Sequence, residues 1–61
     1  MTRQTIRTEI AHLSNTLGYG VGFRGGSDAH LAAVHADGGR GELIVKGKIE
    51  YVRNFLELVA E

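Results

Sequence analysis

Residues 37–46 read DGGRGELIVK, a glycine-rich reversal followed at once by an apolar run. Asp37, Gly38, Gly39 and Gly41 are residue types that tolerate positive φ, as a tight reversal requires. Directly after them, Leu43, Ile44 and Val45 form a short apolar run, β-branched at its centre and bounded by Glu42 and Lys46. A glycine-rich turn leading into such a run is the pattern of a hairpin. It predicts a strand over 42–46 and calls for an antiparallel partner just upstream.

The upstream stretch 29–36 reads AHLAAVHA. As a strand it places Leu31, Ala33 and His35 on one face and His30, Ala32, Val34 and Ala36 on the other. The alternative is a short helix capped by Ser27 and closed by Gly38, with its alanines favouring the interior. The length of the segment and the turn that follows favour the strand. Before it, Tyr19, Val21 and Phe23 alternate with Gly20 and Gly22, so 19–24 predicts a strand with one large face and one bare face. Gly25-Gly26-Ser27-Asp28 between them is a turn by composition.

Helices flank this meander. Ile6, Ile10, Leu13 and Leu17 fall within an arc of about 60° at 100° per residue, which predicts a one-faced helix over 3–17. Thr2 suits its N-cap and Gly18 its C-terminal stop, while Arg3, Arg7 and Ser14 flank the apolar stripe. Gly47 is expected to end the last strand, and 48–61 to form a second helix. There Ile49, Val52, Leu56 and Val59 make a core stripe, but Tyr51, Phe55 and Leu58 widen the apolar arc to about 200°. Glu50, Glu57 and Glu61 gather opposite. Covering one face of a small sheet takes an arc of only about 100°.

The predicted class is therefore α+β: one small domain over 1–61, ordered helix, three-stranded antiparallel meander, helix. The chain has 61 residues, 43% of them hydrophobic, with seven basic and seven acidic side chains, nine Gly and no Cys, Pro or Trp. That length excludes a two-domain enzyme, a complete dinucleotide-binding fold and a barrel. Without Cys there are no disulfides, thiolate zinc sites or Cys nucleophiles. No apolar run approaches the roughly 20 residues that span a bilayer, and Met1-Thr2-Arg3-Gln4 opens no signal-peptide h-region. The expectation is a soluble cytoplasmic protein with no membrane partner. A domain of about 60 residues buries only about 60% of its unfolded surface, so association is the expected source of further stability.

Among candidate sites, the Tyr51, Phe55, Leu58 edge of the last helix reads as a protein interface, because an exposed aromatic and aliphatic stripe is costly unless covered. The alternative is that the first helix packs over it. Gly20-Val21-Gly22-Phe23-Arg24-Gly25 matches G-x-G-x-x-G, yet a helix precedes it and too little chain follows for a dinucleotide fold. Its glycines better suit close approach of a helix or a partner's backbone. His12, His30 and His35 do not converge as metal ligands, since His30 and His35, five apart, face opposite sides of a strand. No Ser, Cys or carboxylate completes a catalytic set around them. Neither a metal nor a cofactor is expected. Arg24, Arg40, Lys46, Lys48 and Arg53 make a possible nucleic-acid-binding edge, although Glu42 and Glu50 are interspersed and no helix-turn-helix or aromatic RNA-binding motif appears. Lys46 also protects a strand edge without needing any ligand. The acidic face at Glu50, Glu57 and Glu61 reads as the wet side of its helix.

In size and organisation the chain looks like the small accessory proteins carried by bacteriophages and mobile elements, including anti-CRISPR inhibitors. That likeness is one of format and rests on no motif. The function expected is a non-enzymatic protein-interaction module that binds itself, as a homodimer, or occludes a target protein through its last helix. The rival expectation is a dimeric nucleic-acid-binding protein using the basic edge.

Overall fold

The computed structural model describes residues 2–26 and 29–61. It has the predicted order: α1 (Arg3–Thr16), β1 (Gly20–Arg24), β2 (Leu31–His35), β3 (Leu43–Lys48) and α2 (Ile49–Ala60). Thr2 caps α1, its hydroxyl accepting a hydrogen bond from the Thr5 backbone N–H at 3.2 Å. The helix stops as Gly18 adopts a φ of 79°, a left-handed conformation that disfavours a side chain. Residues 31–35 are a strand, and the short-helix alternative is not adopted. Of the turn read at 25–28, Ser27 and Asp28 lie outside the described residues, as does the Ser27 cap of that alternative helix.

The strands form an antiparallel sheet in the order β1-β2-β3. Val21 pairs with Val34 and Phe23 with Ala32, while Val45 and Gly47 stand on the other side of β2, opposite Val34 and Ala32. Because side chains alternate along a strand, this register collects the large face of β1 and the buried residues of β2 and β3 on one side. Both helices lie there, α1 towards β1 and α2 towards β3, packed against each other. The resulting core comprises Ile6, Ile10, Ala32, Val34, Val45, Ile49, Val52 and Leu56, with Leu13, Leu17, Tyr19, Val21, Phe23, Ile44 and Phe55 packed around it.

The hairpin between β2 and β3 closes through a single 3-10 turn at Asp37–Gly39. Ala36 N–H donates to the Glu42 carbonyl at 2.9 Å, and Gly41 N–H to the Ala36 carbonyl at 2.8 Å. Ile44 is the extra residue of a bulge, since Val45 pairs with Val34 and Leu43 with His35. Two expectations need correction. Gly47 does not end the strand: it stays in register opposite Ala32, with a φ of 146° that glycine accommodates, and the chain turns only at Lys48. Ser14, expected beside the helix stripe, is fully buried, and its hydroxyl lacks a hydrogen-bond partner. The packing of α2 alongside α1 draws this flank into the core.

Candidate interaction surfaces

Two surfaces among the described residues bear on function. The first is the flank of α2. Arg53 faces α1, with its guanidinium 3.9 Å from the Glu9 carboxylate and 3.5 Å from that of Glu57. On the helical wheel Tyr51 and Leu58 lie about 140–160° away from Arg53 and so project from the side turned away from α1. A Cβ added at Gly47 would meet the Tyr51 ring at 3.4 Å, which places that ring over the end of the edge strand β3. Tyr51 is 59% exposed and Leu58 71%. Phe55, between them along the helix axis and about 40° from Tyr51 towards the core, is half-buried. Internal packing by α1 therefore does not cover this flank. Val59, read from sequence as part of the core stripe, is exposed and extends the same flank.

The second surface is the open face of the sheet. The register places Arg24, Leu31 and Lys48 in one row across the three strands and Gly22, Ala33 and Lys46 in the next. All these positions point away from the helices, because their neighbours Phe23, Ala32, Val34 and Val45 point into them. Arg24, Leu31, Ala33 and Lys46 contribute to a hollow of about 410 Å³ there. At the opposite end of this face, the 37–39 turn sits directly on Gly20 and donates the Gly38 N–H to the Gly18 carbonyl at 2.9 Å. The close approach that the bare glycine face suggested is thus made at Gly20, by the chain's own turn, while Gly22 remains open.

The five-residue basic edge is only partly assembled. Arg24, Lys46 and Lys48 share the open face; Arg53 is drawn to the helix layer by Glu9, and Arg40 stands in the hairpin turn at the far end. The histidines are dispersed: His12 is exposed on α1, His30 precedes β2 and His35 ends it. No group of three or more His, Cys, Asp or Glu that could hold a metal ion occurs among the described residues. No helix among them is long and apolar enough to cross a membrane. Leu31, Ala33 and His35 were visible in the sequence as one face of a strand. Their place beside Arg24 and Lys46 depends on pairing that the sequence does not display.

Comparison with protein-family models, curated proteins and solved structures found no match to this chain.

Proposed function

We propose that this protein is a non-enzymatic interaction module that self-associates through the outer flank of α2, with Tyr51, Phe55 and Leu58 as its anchors. The observation that carries this reading is the exposure of Tyr51 and Leu58, 59% and 71%, on the flank of α2 opposite its contact with α1. Spacings of four and three residues align Tyr51, Phe55 and Leu58 into a continuous ridge, and Asn54 and Glu61 border it with polar groups. A second copy is the occupant favoured by size. Among the described residues the core has eight buried apolar side chains, and domains this small commonly gain stability by association. A two-fold interface uses the same patch twice, so one ridge suffices for both partners. Aromatic anchors in such a ridge typically dominate the interface energy.

Light scattering over a concentration series tests this. The expected result is a mass near twice 6.6 kDa for the wild-type chain. Leu58→Glu should shift it to the monomer with an unchanged circular dichroism spectrum, because so exposed a side chain contributes little to the fold. A wild-type monomer at several hundred micromolar, or a Leu58→Glu dimer, overturns the reading.

A further inference from the structure

The net charge of the chain is zero, yet its charges are not evenly distributed over the fold. Every outward-pointing position of the paired strands is glycine, apolar, histidine or cationic: Gly20, Gly22 and Arg24 on β1, Leu31, Ala33 and His35 on β2, Leu43, Lys46 and Lys48 on β3. None carries a carboxylate. Among the described acidic residues, Glu9, Glu50, Glu57 and Glu61 belong to the helix layer, and Asp37 and Glu42 to the hairpin end, remote from the row of Arg24 and Lys48; Asp28, in the connection between β1 and β2, lies outside the described residues. Among the described residues, Arg24, Lys46 and Lys48 make no ion pair, and all three are exposed. Among the described residues, the strand positions of this face carry charge of one sign over an apolar floor.

We infer that the open face of the sheet binds single-stranded nucleic acid, with Arg24, Lys46 and Lys48 on its phosphates and Leu31 and Ala33 beneath its sugars and bases. The dimensions agree with that occupant. Lys46 and Lys48 are two residues apart on one strand, a spacing of about 6.8 Å, on the order of one nucleotide step of an extended strand. Arg24 and Lys48 stand about 9.6 Å apart, across β2. Gly22 and Ala33 leave the middle of the face low, so a chain can lie flat on it. The Arg24 guanidinium can stack on a base as well as meet a phosphate. A duplex fits less well. A B-form major groove about 12 Å wide admits a helix or a two-stranded ribbon, not the face of a three-stranded sheet backed by helices. The inference stands apart from self-association, since the α2 flank supplies none of these residues.

The test is fluorescence anisotropy with a labelled 16-nucleotide mixed-sequence single strand, as DNA and as RNA, beside the matched duplex. Three phosphate contacts on a single strand give a slope of about −2 in log K against log salt, so affinity should fall about 20-fold between 50 and 200 mM. Lys46→Ala or Arg24→Ala should each weaken binding and reduce that fall to about 7-fold, as expected for the loss of one contact. Lys46→Arg should restore the wild-type slope, and Leu58→Glu should leave it unchanged. Both alanine variants must keep the wild-type circular dichroism spectrum, which their exposure predicts. Three results would overturn the inference: no binding of either single strand at 50 mM salt, a slope unmoved by the alanine substitutions, or duplex bound as tightly as single strand.

Discussion

Gly20 and Gly22 occupy the same face of the same strand, two residues apart, yet alanine at the two positions should have opposite effects. An added Cβ at Gly20 would lie 2.5 Å from the Gly38 carbonyl oxygen and 2.6 Å from Gly39 Cα. Ordinary carbon contacts begin near 3.5 Å, so the turn or the strand has to move by about 1 Å. Both neighbours are backbone and cannot rotate aside. Lifting the turn stretches the bond from Gly38 N–H to the Gly18 carbonyl, now 2.9 Å. A net hydrogen bond is worth about 0.5–1.5 kcal/mol, and overpacking strain costs about 1–3 kcal/mol. Against these stands a gain of about 0.4–1 kcal/mol from a stiffer unfolded chain. Gly20→Ala should therefore destabilise the fold by about 2 kcal/mol, or roughly 8–16 °C in Tm for a domain of this size. At Gly22 nothing lies within 4 Å of the added atom and φ is not positive, so only the gain remains. Gly22→Ala should raise Tm by roughly 2–8 °C. Thermal unfolding by circular dichroism, at one fixed protein concentration because association shifts Tm, measures both. Equal Tm values for the two variants would refute the seating of the turn on Gly20.

Ser14→Ala removes a buried hydroxyl without a partner and places the best helix former in α1, so urea unfolding should show a gain of about 1 kcal/mol. A loss of stability there would mean that the hydroxyl is hydrogen-bonded. Thr2→Ala removes the N-cap of α1 and should cost about 1 kcal/mol, seen as a lower urea midpoint with an unchanged m-value. Leu56→Ala empties a fully buried site at a cost of about 2–5 kcal/mol, comparable to the whole stability expected of so small a core. That variant should be largely unfolded at 25 °C by circular dichroism, and a native spectrum would place Leu56 outside the core.

Much of the architecture could be read locally. The Thr2 cap, the four-three-four spacing of Ile6, Ile10, Leu13 and Leu17, the alternation of Tyr19, Val21 and Phe23 with glycines, and the DGGRG reversal each concern residues within one or two turns of chain. Backbone sterics and side-chain periodicity act at that range, so order and class followed from them. The error at Gly47 has the same origin: glycine weakens a strand's own preference, but pairing with Ala32 holds it in the ladder.

The candidate surfaces are of another kind. Sequence marked Tyr51, Phe55 and Leu58 as apolar beyond what a helix on a sheet needs, but only the side on which α1 packs decides that Tyr51 and Leu58 stay exposed. Arg40, Lys46, Lys48 and Arg53 were visible as one basic stretch that Arg24 could join at the sheet edge, and tertiary structure divides the five. Arg53 goes to Glu9 in the helix layer, while Arg24 joins Lys46 and Lys48 across β2. The elements, their order and the excess of apolar surface follow from near neighbours along the chain and could be read without the fold. Strand register and the choice of covered face decided which charges meet, because alternation defines two faces of β2 but only the packing of the helix layer on the side of Ala32 and Val34 puts Leu31, Ala33 and His35 on the uncovered face.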